Sequence, residues 1–253
     1  MTQVGYLTID DSPTEDFLNK VDLLSSMEIP AIFFCRGNRL EERPDDAISA
    51  IKKGYVLGNH SYSHPHFSEL TLKECFQEIK QTDEILDKIY RDAEVTRPAK
   101  LFRFPYGDKG SETDAEHGWP DDENKKLFMQ GIQNYLKRLG YHQPIFQNIS
   151  YKWYKDAGLH LDKDVYWTYD TKDYEVTAIF KEGSDKPTGY TNLSAVFARM
   201  DEDVPEGCRG LNYSRSNDII LVHDIVGIEG IFKRLIEALL AKEIYFMKPI
   251  FSI

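Results

Sequence analysis

The chain has 253 residues, enough for one large α/β barrel or two small domains. Its net charge of -11 argues against nucleic acid, which calls for a basic surface. That charge also disfavours polyanionic substrates and leaves neutral ones open. No stretch approaches the roughly 18 apolar residues that would span a membrane.

In chain order, short apolar runs at 4–9, 31–35, 55–58, 101–104, 165–169, 218–222 and 244–247 read as strands. Helical spacing falls between them. Phe17, Val21 and Leu24 form one such stripe, and Leu72, Cys75, Phe76, Ile79, Leu86 and Ile89 a second. Phe128, Ile132, Tyr135, Leu136 and Leu139 form a third, and Ile228, Phe232, Leu235 and Leu239 the last. Ser12-Pro13-Thr14-Glu15 and Thr71-Leu72-Lys73-Glu74 read as capping boxes, and Gly140 as the C-cap of a helix over 125–139. Alternating strands and helices predict a parallel sheet, and about seven such units predict a barrel. With no repeat or linker, residues 1–253 read as one domain.

Two segments break the rhythm. Residues 108–124 are acidic and read as a solvated loop. Residues 144–163 carry Phe146, Tyr151, Trp153 and Tyr154, either an added strand burying its aromatics or a platform on which sugars stack. The second reading makes Trp153 a substrate-binding residue. Cys35, Cys75 and Cys208 are odd in number and scattered, so neither a disulfide framework nor a cysteine metal site is expected. Asp10 follows Met1 too closely for a signal peptide of about 15–30 residues. The expected compartment is therefore the cytoplasm, or the exterior if the chain is a trimmed piece.

The chemistry-bearing residues gather at strand ends. Asp10 and Asp11 close the first run. His60 and His64 follow the run at 55–58, four apart, so one helical turn would aim both imidazoles the same way. Asp11, His60 and His64 are O and N donors suited to a divalent metal, with Asp10 left as a general base. Arg103-Phe104-Pro105-Tyr106-Gly107, Asp170-Thr171-Lys172-Asp173-Tyr174 and Leu221-Val222-His223 end three later runs. Each has a purely structural reading: a strand-end ion pair, a turn, a solvated loop, a packed histidine. In a barrel, however, strand C-termini share one face, where active sites are built.

In order, these segments resemble the five motifs of polysaccharide deacetylases, carbohydrate esterase family four. Thr8-Ile9-Asp10-Asp11-Ser12 is similar to the family's T-F-D-D-G, and His60-Ser61-Tyr62-Ser63-His64 to H-S-x-x-H. Arg103 to Gly107 matches R-x-P-Y-G, Asp170 to Tyr174 resembles D-x-x-D-W, and Leu221-Val222-His223 matches L-x-H. The resemblance implies a distorted α/β barrel with fewer than eight complete units and metal-dependent removal of acetyl groups from sugars. Asp11, His60 and His64 would bind the ion, zinc first, with cobalt or nickel as alternatives. Asp10 would be the base and His223 the acid. Arg103 would orient Asp10, Asp170 would tune His223, and Tyr106 would lend a backbone N–H to the oxyanion. Tyr174, in place of the family's Trp, would wall the pocket. The expected partner is an acetylated carbohydrate, N-acetylated in the leading reading. The rivals are an O-acetyl xylan esterase of the same fold and a catalytically silent carbohydrate binder.

Overall fold

The computed structural model describes residues 3–111, 118–177, 189–201, 211, 215–227 and 229–251. Its strands are β1 (Val4–Ser12), β2 (Ala31–Cys35), β3 (Val56–Asn59), β4 (Tyr169–Asp170), β5 (Asp218–His223) and β6 (Tyr245–Phe246). The helices are α1 (Phe17–Ser26), α2 (Gly37–Glu42), α3 (Pro44–Lys52), α4 (Leu72–Asp92), α5 (Glu123–Arg138), α6 (Lys152–Asp156), α7 (Leu193–Arg199) and α8 (Glu229–Ala241). All strand pairs are parallel, in the order β3-β2-β1-β5-β4, with β6 beside the start of β1. None of these helices is long and apolar enough to cross a membrane.

Backbone hydrogen bonds carry the sheet round into a circuit. Asn59 at the end of β3 bonds to Leu101 and Arg103, Phe102 accepts from Val165, and Thr168 and Thr171 donate to β5. The strand expected over 101–104 is reduced to this bridging, and that over 165–169 shrinks to β4. Among the described residues six strands stand where seven were expected. Pro105, lacking an N–H, cannot extend the ladder beyond Arg103.

The pleat divides the strand side chains. Leu7, Ile9, Phe33, Cys35, Leu57, Ile220 and Val222 pack outward with Phe17, Val21, Leu86, Leu235 and Leu239 of the helices. Tyr6, Ile32, Phe34, Leu101, Val165 and Ile219 fill the interior. Cys35 and Cys75 are buried thiols without disulfide partners, and burial pushes Cys75 up to about 12. Cys208, His117 and Ile228 lie outside the described residues.

The capping box at Thr71 is present: its side chain accepts from Glu74 N, and Glu74 reaches back to Thr71 N. Gly140, at φ 88°, follows the C-cap of α5. The box expected at Ser12 is absent. Ser12 remains in β1, and α1 starts only at Phe17. The intervening Thr14 is committed elsewhere: its N–H and hydroxyl both donate to buried Asp224, which also pairs with buried Lys20 at 2.5 Å. Asp224 is a structural carboxylate, holding Thr14 and Lys20.

Residues 146–151 pack at the end where β1 and β5 begin, while Asp162 pairs with Lys109, beyond the Pro105–Gly107 turn, at 2.6 Å. Phe146 packs edge-on against Tyr6, Gln147 and Ser150 bond to residues 215–217, and Tyr151 donates to Asp218, the first residue of β5. Tyr151 and Tyr154 are buried, and Trp153 packs against the same interior cluster. These rings pack on the interior cluster near the start of β5, which favours the burying alternative for this segment over a sugar platform at Trp153.

Asp218 at this end accepts hydrogen bonds from Tyr151, Thr168 and Gln3, all neutral. Burial pushes its carboxyl up to about 6 against those bonds. An acid raised on folding binds its proton better in the native state, so its contribution declines as pH rises from about 4 to about 6. Asp218→Asn is therefore expected to stabilise the chain at pH 8 by up to ~3 kcal/mol, and the gain should vanish below about pH 4. Urea unfolding at the two pH values reads this, and a pH-independent difference would contradict it.

Candidate metal centre

The inward side of β1 carries Tyr6, Thr8 and Asp10 in alternation, and Asp10 lies in register with His223 on neighbouring β5. Simple alternation would turn Asp11 outward with Ile9. Between Ile9 and Ser12, however, β1 spends one residue more than β2, and Asp11 adopts φ 66°. This bulge re-aims the carboxylate toward the barrel end, the usual use of an extra residue next to a site. The Arg39 guanidinium donates to the Asp11 carbonyl and holds that conformation.

His60 and His64 do not share a helical turn, contrary to expectation. Ser61 and His64 take left-handed conformations at φ 63° and 64°, and the loop is tied down by its own polar groups. Ser61 N donates to Asn59, Tyr62 N and Ser63 N donate to Glu78, and His64 N donates to Ser61 Oγ. The two imidazoles nonetheless converge, with centroids 4.9 Å apart. Tyr106 (φ 57°) and Lys172 (φ 58°) border the same end. Left-handed non-glycine residues cost on the order of 1–3 kcal/mol each and gather where a surrounding framework imposes a geometry.

One donor atom from each of Asp11, His60 and His64 lies within 4.8 Å of the others, the one such group among the described residues. Three observations fit this trio to a cation. Asp11 Oδ1 is buried and has no hydrogen-bond partner. His60 Nδ1 bonds the Arg103 carbonyl at 2.9 Å, which fixes the tautomer and turns Nε2 toward the carboxylates. Protonation states match as well. Burial holds His60 down to about 4 and His64 to about 3, while His64 and His60 hold the Asp11 carboxyl at about 2 against burial. At neutral pH the set is one carboxylate and two neutral imidazoles, the state a metal requires.

Asp10 is the second carboxylate. Buried Arg103 donates through Nη1 to Asp10 Oδ1 and to Thr8 Oγ1, each at 2.8 Å, and through Nε to the Val165 carbonyl. Its guanidinium lies over the Phe34 ring at 4.3 Å. Burial pushes Asp10 up from the usual carboxylate range, and the Arg103 charge pulls it back.

His223 faces this pair from β5. Its Nδ1 donates to Asp173 Oδ1 at 2.8 Å, and its backbone N–H to Asp173 Oδ2 at 2.9 Å. The partner is thus Asp173, where Asp170 was expected. Asp170 accepts from Lys172 N and pairs with Lys172 Nζ at 3.1 Å, turning the chain into the 3₁₀ turn Asp173–Val176. That turn returns the next carboxylate under the imidazole. Burial opposes the charged form of His223, but Asp173 first, then Asp170 and Asp11, raise it to about 9. The second acid of the D-x-x-D pattern was the sequence signal for this role.

Tyr174 stands edge-on to His223 at 5.0 Å, in the place expected for a wall. Tyr106 lies in the Pro105–Gly107 turn, edge-on to His64 at 4.5 Å. His66, which matched no motif, stacks flat on Tyr106 at 3.9 Å. The structure therefore brings together Asp10, Asp11, His60, His64, Arg103, Tyr106, Asp170, Tyr174 and His223, adds Asp173 and His66, and leaves Trp153 elsewhere.

A parallel barrel carries an Asp-His-His trio, an arginine-clamped carboxylate and a carboxylate-held histidine at one end, and comparisons with known proteins show what this arrangement is similar to. The family model described as polysaccharide deacetylase matches residues 2–118. Peptidoglycan-N-acetylmuramic acid deacetylase PdaC of Bacillus subtilis is 33% identical over 141 residues, which are 51% of this chain and 29% of that protein. A peptidoglycan-N-acetylglucosamine deacetylase of Bacillus cereus is 35% identical over 103 residues, 40% of this chain and 36% of that one. The chain thus spans about a third of the curated relatives it matches. A family 4 carbohydrate esterase from Streptomyces lividans has the same fold, with a TM-score of 0.58 at 19% identity, over 97% of this chain and 92% of that one.

Proposed function

We propose that this chain hydrolyses acetyl groups from an acetylated sugar or glycan, N-acetylated in the first instance, using a divalent ion held by Asp11, His60 and His64. The observation that carries this reading is the convergence of that trio with the Arg103–Asp10 and Asp173–His223 pairs at one end of the barrel. When bound, the ion supplies Lewis acidity toward the acetyl oxygen and lowers the pKa of a water, from 15.7 to about 7 in favourable sites. Zinc suits the O and N donors, with cobalt or nickel able to compete.

The chain's own groups move the protons. Asp10, kept ionised and aimed by Arg103, takes the proton of the attacking water. His223, kept charged by Asp173, delivers a proton to the departing amine nitrogen. Tyr106, on the turn beside His64, is the candidate for a backbone N–H toward the oxyanion, a contribution typically on the order of 10²–10³ in rate. Acetate release from chitooligosaccharides, peptidoglycan fragments and acetylated xylan, with and without added Zn²⁺ or Co²⁺, tests the reading. Metal-stimulated release from the N-acetylated substrates is expected. Preferential release from xylan would make the chain an O-acetyl esterase, and no release from any substrate would overturn the proposal.

A further inference from the structure

The rim of the centre carries a charge that neither the trio nor the proton-moving pairs use. Arg36 and Arg39 stand one turn apart at the start of α2, beside Asp11 and His64. Arg39 is occupied by the Asp11 carbonyl. Arg36 is anchored from both sides of the site. Its backbone N–H donates to the carbonyl of Ser12, next to Asp11, and its Nη2 donates to the carbonyl of Ser63, next to His64. It lies close enough to Asp11, His64 and Tyr106 for charge to act between them.

No carboxylate pairs with Arg36 among the described residues. Glu78, whose charge reaches it, is already engaged by Tyr62 N, Ser63 N and Ser63 Oγ, and Glu41 takes the Tyr62 hydroxyl. Arg36 Nε is buried without a hydrogen-bond partner. Burial and the neighbouring Arg39 both disfavour its charge. The Asp11 and Glu78 carboxylates act on Arg36 from a distance, but neither forms an ion pair with it among the described residues. The opposite wall offers no equivalent, because Lys172 is already paired with Asp170.

We propose that Arg36 is a specificity-determining residue that binds an acidic group, a carboxylate or a phosphate, borne by the acetylated sugar whose acetyl group lies at Asp11, His60 and His64. A guanidinium presents a planar fork of donors matched to both kinds of oxyanion. The overall negative charge disfavours a densely charged polyanion, while a local cation at the rim suits a single acidic substituent. The inference rests on the deacetylase reading above.

The test compares kcat/KM for three substrates: N,N′-diacetylchitobiose, which is neutral; a disaccharide containing N-acetylmuramic acid, which bears a carboxylate; and N-acetylglucosamine 6-phosphate. The wild type is expected to favour one of the acidic substrates over the neutral one, and added salt should erode that preference. Arg36→Gln should lower the acidic-to-neutral ratio roughly 10–100-fold, the usual worth of a charged hydrogen bond, and Arg36→Lys should restore part of it. The substrate whose ratio falls further identifies carboxylate or phosphate. Calorimetric titration of muramic acid and of glucosamine 6-phosphate decides the matter independently of turnover, with weaker binding of one of them to Arg36→Gln expected. Unchanged ratios together with unchanged binding would overturn the proposal. Weakened binding with no acetate release from any substrate would uphold the anion site and overturn the deacetylase reading instead.

Discussion

Asp11→Asn, His60→Ala and His64→Ala are each expected to weaken divalent-metal binding by ~100-fold or more and to abolish turnover. Loss of a group that merely supports a ligand costs 10–100-fold in affinity, and loss of a ligand should exceed that range. The size of the effect follows from the site's economy: three donor atoms within 4.8 Å, with no fourth donor grouped with them among the described residues. Asp11 matters most, because its carboxylate is the trio's only negative charge. Metal analysis of the dialysed variants, alongside acetate release, checks the expectation. Full occupancy in all three variants would remove the trio from the reaction. Asp10→Asn supplies the contrast, since it should keep the metal and lose most of kcat.

The second large effect belongs to Asp173. With His223 held at about 9, the protonated acid persists across neutral pH and is lost as pH rises through that value. Asp173→Asn removes the charge that raises His223 most and its hydrogen bond, so the alkaline limb of the rate profile should move toward lower pH, with kcat falling on the order of 10²–10⁴ as general-acid catalysis is lost. Asp170→Asn should move the same limb less, because that carboxylate is already neutralised by Lys172. The linkage has a stability side. A histidine raised on folding stabilises the native state fully below its unfolded value near 6.5, and this contribution is lost as pH rises through about 9. NMR titration of His223 in the metal-free variants reads the shift directly. An imidazole that titrates as in the wild type after Asp173→Asn would rule that carboxylate out.

The residues of the centre were legible because parallel strands end on one side of a sheet. Asp10, Asp11 and His223 needed only the apolar runs before them to be placed together. How they are aimed was less legible. A one-residue bulge decides where Asp11 points, and the left-handed Ser61 and His64 replace the helical turn that their spacing suggested. Both depend on partners distant in sequence, such as Arg39 and Glu78. Asp170 and Asp173 are equally acidic on paper, and only the turn at Lys172 distinguishes the partner of His223. The aromatics of 144–163 revealed their burial in composition but not its location, because Tyr6 and Asp218, which receive them, lie at the far ends of β1 and β5.

That placement has a consequence for traffic through the molecule. Among the described residues, Tyr151 and Tyr154 pack with Tyr6, Phe34 and Ile219 and fill the interior on the side away from the Asp-His-His trio. On the proposed function, a glycan would lie across the rim and dip one acetyl group inward. The acetate would then leave past the polymer that delivered it. Acetate release and glycan release would share one threshold, and a tightly held chain would retain its own by-product.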